Sequence, residues 1–168
     1  ARALSALPFI VVHAYAVTAN TLVSNLIGEG KTHQVWHLIR KILFLAYISV
    51  TPMLIIFSFF PELCLGIYTD NTSLISASVN VIYVMCAASF LQIGAFVLFN
   101  SMSGTGAVKM TVLIESVTLF VYCIFVWMVI IRMRPTPAVA WGAEILYQGI
   151  MIVLCLIYML RGNWKNKA

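Results

Sequence analysis

Hydrophobic positions in this chain run in long unbroken blocks, not in the three-and-four spacing of a half-buried helix or the alternation of a strand. Five blocks, roughly Ala3 to Ile27, Ile42 to Phe60, Leu74 to Phe99, Met110 to Ile131 and Ala138 to Leu160, fill most of the 168 residues. A helix rising about 1.5 Å per residue needs about 20 apolar residues to cross a bilayer core. Each block therefore predicts one spanning helix. A closed β-barrel also satisfies its backbone in lipid, but it requires alternation over segments of about ten residues. Runs such as Val121-Tyr122-Cys123-Ile124-Phe125-Val126-Trp127-Met128 do not alternate. The predicted fold class is an all-α integral membrane protein, a five-span helical bundle forming one unit over residues 1–168.

Turn-forming residues fall between the blocks. Gly28-Glu29-Gly30-Lys31 closes the first, Phe60-Pro61 the second, Gly104-Thr105-Gly106 the third and Pro135-Thr136-Pro137 the fourth. Pro52 lies inside the second block, where its ring removes one backbone donor and crowds the preceding turn, so it is a candidate kink and hinge. The hydrophilic stretch Gly28 to Arg40 is expected to form a short interfacial helix through Val35, Trp36 and Leu38.

Composition places the chain in the same class: 62% hydrophobic, 9% charged and a mean hydropathy of +1.02, against about 25% charged in soluble proteins. No formal charge occurs between Asp70 and Lys109. The net charge of +5 is not a nucleic-acid patch, because the basic residues segregate by loop. Lys31, Arg40, Lys41, Lys109, Arg161, Lys165 and Lys167 fall on one side of the alternating spans, and Arg2, Arg132 and Arg134 on the other. Seven against three predicts a cytoplasmic C-terminus. Trp36, Trp141, Trp164 and Tyr68 lie near span ends, where amphipathic rings favour the interface. Cys64, Cys86, Cys123 and Cys155 have neither metal-ligand spacing nor a disulfide framework. The first block is too long for a signal peptide, and the chain lacks an initiator Met, so it is expected to be a piece of a longer chain.

Nothing in the chain spells an enzyme: HExxH, GxSxG and the GxxxxGK[ST] phosphate loop are absent. The glycine pairs at 28–30 and 104–106 follow spans and read as helix-ending turns. Candidate chemistry lies in polar residues at membrane depth, where an ionised group costs at least about 2.5 kcal/mol. Glu115 is the first candidate. Thr111, Glu115, Thr118 and Tyr122 follow at spacings of four, three and four and form one polar stripe, suited to carrying a proton or lining a cavity. Alternatively, Glu115 snorkels to water or pairs with a basic residue. Glu144 sits on a face with Trp141, Gln148 and Met151 and is expected to be separate from Glu115, fixing a neighbouring helix through hydrogen bonds. Ser89, Gln92 and Phe96 share a face, with Asn100 two turns beyond Gln92. His13 is the one histidine well within a block, available as a proton relay or, with Asn20 and Ser24 on roughly its own face, for a hydrogen-bonded interhelical contact. Tyr83, Phe90, Phe96 and Phe99 offer rings on which flat cations can stack.

Four landmarks, in order, carry a family resemblance: Thr21-Leu22-Val23-Ser24-Asn25-Leu26-Ile27-Gly28-Glu29-Gly30-Lys31, Ile67-Tyr68-Thr69-Asp70, Phe99-Asn100-Ser101-Met102-Ser103-Gly104-Thr105-Gly106, and Ala140-Trp141-Gly142-Ala143-Glu144 with the tail Arg161-Gly162-Asn163-Trp164-Lys165. Together they resemble the second half of multidrug and toxic compound extrusion (MATE) transporters. The resemblance implies twelve helices in two lobes, with these five spans as helices eight to twelve and an N-terminal lobe of the same chain as partner. It also implies alternating access, H⁺ or Na⁺ as coupling ion, no other cofactor, small organic cations as substrates, and a bacterial inner (plasma) membrane location. Some members carry a cation-binding aspartate near the position of Gln92, whose amide offers an oxygen but cannot titrate. Two alternatives remain: a lipid-linked saccharide flippase or polysaccharide exporter of related fold, and a non-transporting scaffold binding helices through Ala14, Ala16 and Ala19.

Overall fold

The computed structural model describes residues 2–66, 72–133 and 137–161. The landmark Ile67–Asp70, the tail beyond Arg161 with Trp164, Lys165 and Lys167, and the side chains of Arg132, Arg134 and Trp141 lie outside the described residues. The described chain consists of helices: α1 (Arg2–Gly28), a 3-10 turn (Thr32–Gln34), α2 (Val35–Phe59), α3 (Pro61–Gly66), α4 (Thr72–Gly104), α5 (Val108–Met133) and α6 (Pro137–Arg161). Five of them contain a stretch long and apolar enough to span a membrane.

Two boundaries differ from the hydropathy reading. The expected interfacial helix is instead the first turns of α2, which begins at Val35 and continues through Arg40 and Lys41. Val35 and Ile39 are fully buried, so this stretch belongs to the bundle core and not to a surface. Charge interrupts a hydropathy block, but it does not interrupt a helix whose inward face stays apolar. The second difference is α3: Pro61, read as punctuation, opens a helical turn, a position where its missing N–H costs nothing. α2 runs unbroken across Pro52, which is exposed, and α1 likewise runs across Pro8.

α4 is the central helix. It packs against α1, α2 and α6, whereas α5 packs mainly on α6 at the edge of the bundle. Small side chains make this possible. Ala16 and Ala19 of α1, Ala46 of α2 and Ala95 of α4 are fully buried, so backbones approach closely where lipid-facing helices gain little from the hydrophobic effect. Ala14, by contrast, is exposed, so the small-residue face proposed for partner helices is largely consumed within the chain. The larger core side chains form three groups: one around Ile39, Leu98, Met102, Met151 and Met159, a second around Val12, Val50, Ile93 and Val97, and a third of Phe57, Leu65, Ile82 and Met85.

The tightest contact joins α1 to α4. A Cβ on Gly104 would stand 2.6 Å from the Asn20 carbonyl oxygen and 3.1 Å from Val23 Cβ, so no larger residue fits without moving a helix. Ser24 Oγ donates to the Gly104 carbonyl at 3.0 Å across the same crossing. Two residues on, Gly106 adopts φ +78° and turns the chain into α5, as Gly30 (φ +72°) turns it between α1 and α2. Outward-facing positions are apolar. Phe44, Ile56, Phe120, Trp127 and Leu160 are all more than half exposed, a surface suited to hydrocarbon and not to water.

Candidate functional site

The polar residues of α5 find different hydrogen-bond partners. Thr111 and Thr118 are buried, and their hydroxyls donate to carbonyls four residues back in the chain, Ala107 at 3.1 Å and Ile114 at 2.8 Å. Such back-bonding satisfies a threonine in an apolar helix without a partner on another element. Glu115 behaves differently. Its Oε1 accepts a hydrogen bond of 2.7 Å from Tyr147 Oη on α6, thirty-two residues away. The Tyr147 ring in turn meets Tyr122 edge-to-face, with centroids 5.7 Å apart, a favourable arrangement for two ring quadrupoles.

Glu144 lies one helical turn before Tyr147 on α6 and is half-buried. Glu115 is thus bonded to Tyr147 across the α5–α6 contact, and Glu144 lies a turn away from that tyrosine on α6. Among the described residues Glu115 pairs with no basic side chain: the one ion pair there is Lys31–Glu29 at 2.8 Å in the α1–α2 connection. Gln148, next along α6, is 4% exposed, and its Oε1 has no hydrogen-bond partner. An unpaired amide oxygen in that setting costs about 1–3 kcal/mol.

Tyr147 was not among the candidates drawn from the sequence. Its spacing from Glu144 places both on one face, but only the packing of α6 on α5 brings its hydroxyl to Glu115. The arrangement holds a carboxyl within an apolar span on one neutral donor from the neighbouring helix.

A family model described as MatE matches residues 2–129, about three-quarters of the chain. The chain belongs to the MatE family. Comparison with curated proteins and with solved structures finds no match. MatE proteins are membrane transporters, and the five apolar helices agree with a multi-pass membrane chain. The matched stretch contains Glu115 and Tyr122, whereas Glu144, Tyr147 and Gln148 lie beyond it.

The other candidates of this MatE chain lie on α1, α2 and α4, apart from the tyrosine pair. Gln92 is partly buried. Asn100 Nδ2 donates to the Phe96 carbonyl at 3.0 Å, a bond within its own helix. His13 is exposed, with its ring 5.9 Å from that of Phe9. Ser24, on the same helix, makes an interhelical bond to the Gly104 carbonyl. Phe9 also meets Phe96 edge-to-face at 5.8 Å, and Phe90 packs on Tyr47 at 4.8 Å, so two of the proposed stacking rings already have ring partners. Phe99 packs against the core, whereas Tyr83 is nearly half exposed.

Proposed function

We propose that this MatE chain forms part of an H⁺- or Na⁺-coupled antiporter that expels organic, often cationic, compounds by alternating access, with Glu115 as the group that takes up and releases the coupling ion. The observation that carries this reading is the 2.7 Å bond from Tyr147 to Glu115 between two apolar helices. An ionised carboxylate there is held by a charge-assisted bond. Once neutralised by a proton or paired with Na⁺, it holds Tyr147 less strongly, so loading the site loosens the tie between α5 and α6. Alternating access needs a coupling of that kind, in which occupancy changes helix packing. Tyr122, in ring contact with Tyr147, and Glu144, a turn before it on α6, adjust the site. Pro52 is the proposed hinge on α2, and Gln92, Asn100, Thr118 and His13 have supporting roles at most. The charge asymmetry supports an orientation with the α6 end in the cytoplasm.

The test is efflux of a fluorescent organic cation by the full-length parent protein in proteoliposomes, with proton and sodium gradients imposed separately. Gradient-driven movement is expected under one of them and identifies the coupling ion. Absence of movement under both overturns the antiport reading.

A further inference from the structure

We infer that the outer groove between α5 and α6 is a binding site for an anionic phospholipid, with an acyl chain in the groove and the phosphate held by Lys109 and Arg161. The groove has a volume of about 220 Å³ and runs between Leu113 of α5 and Leu154 and Ile157 of α6, ending at Tyr158 and Arg161. A second cavity of about 490 Å³ shares Tyr158 with it and is lined by Lys109 and the Thr105–Gly106 turn. An apolar slot that ends at Arg161 thus passes over a phenol into a cavity of mixed polarity that holds Lys109. Hydrocarbon, then a neutral polar group, then a charged head is also the order of groups along a phospholipid.

Charge complementarity selects the anionic kind. Lys109 and Arg161 are both exposed, and neither pairs with a carboxylate among the described residues. The chain has only five acidic residues, and the one at this end of the bundle, Glu29, is held by Lys31. Among the described residues no carboxylate neutralises this pair, and the leaflet that surrounds the groove supplies negative charge. Leu113 and Ile157 are 53% and 44% exposed, so a lipid chain reaches the groove without any rearrangement. Glu115 and Tyr147 are not among the residues that line the groove, and the site does not depend on the transport reading.

The test is native mass spectrometry of the full-length protein from micelles holding equal dioleoylphosphatidylglycerol and dioleoylphosphatidylcholine. Each basic side chain at an anionic surface favours it about fivefold, so the pair is expected to give roughly 25-fold preferential retention of phosphatidylglycerol. The double variant Lys109→Gln with Arg161→Gln should reduce that preference to within about twofold of unity. Arg40→Gln with Lys41→Gln, at the same end but off the groove, should keep it, and Leu113→Trp should cut retention of both lipids. Equal retention of the two lipids by the unmodified protein overturns the proposal. So does loss of preference in the Arg40/Lys41 control, which would mean diffuse attraction to a basic end. Failure to retain any lipid, as expected if the rest of the protein covers the groove, overturns it too.

Discussion

Gly104→Ala is the most quantitative test of the packing. The added Cβ would lie 2.6 Å from the Asn20 carbonyl oxygen, 3.1 Å from Val23 Cβ and 3.2 Å from Asn20 Cα. A relaxed carbon–oxygen contact lies at about 3.3 Å, so α1 and α4 must part locally by roughly 0.7 Å. Two of the three opposing atoms are backbone, and no rotamer change relieves them. Overpacking of this kind costs about 1–3 kcal/mol. The same movement stretches the Ser24 Oγ to Gly104 O bond from 3.0 Å to about 3.7 Å, beyond hydrogen-bonding range; interhelical bonds in membranes average about 0.6 kcal/mol. The expected loss is therefore about 2–4 kcal/mol. It is measured by equilibrium unfolding of the purified full-length protein in detergent, beside two controls. Ser24→Ala removes only the bond and should cost under about 1 kcal/mol. Gly28→Ala meets no atom within 4 Å and should be neutral. A Gly104→Ala protein within about 0.5 kcal/mol of the parent, inside ordinary surface-substitution scatter, would refute the close approach of α1 and α4.

Three further substitutions probe the polar residues. Tyr147→Phe removes the donor to Glu115 and should lower gradient-driven transport at matched membrane abundance, while costing at most about 1.5 kcal/mol of stability by thermal unfolding. Thr118→Val removes a hydroxyl bonded only to its own helix; transport and stability should both stay near the parent, and a severe transport defect would return Thr118 to the pathway. Gln148→Leu replaces a buried amide whose Oε1 is unpaired and should stabilise by about 1 kcal/mol. Loss of transport in that variant despite greater stability would show that Gln148 serves a bound species.

The spans were legible because lipid permits few architectures: a block of 20 apolar residues that does not alternate must be a helix. The start of α2 was not, because hydropathy stops at Arg40 and Lys41 whereas the buried row Val35, Ile39 and Ile42 continues through them. Gly104 was read as part of a turn, and only the fold separates its role in close packing from the positive φ of Gly106. At the site, Glu115 stood out as a carboxylate at membrane depth, but its partner did not. Periodicity along α5 assigns four residues to one face and says nothing about which of them meets another helix. Two threonines there turn to their own backbone, and the residue that reaches Glu115 comes from α6, at a register set by packing of whole helices.

The central claim is that Glu115 couples ion to substrate. It is tested most directly by comparing two modes of transport in full-length Glu115→Gln protein reconstituted into liposomes: accumulation of a fluorescent cation driven by an imposed ion gradient, and exchange of the same cation without one. The account predicts that gradient-driven accumulation is lost while exchange persists, since glutamine keeps the shape and an acceptor for Tyr147 but cannot take up a proton. Undiminished gradient-driven accumulation at equal reconstituted protein would contradict it.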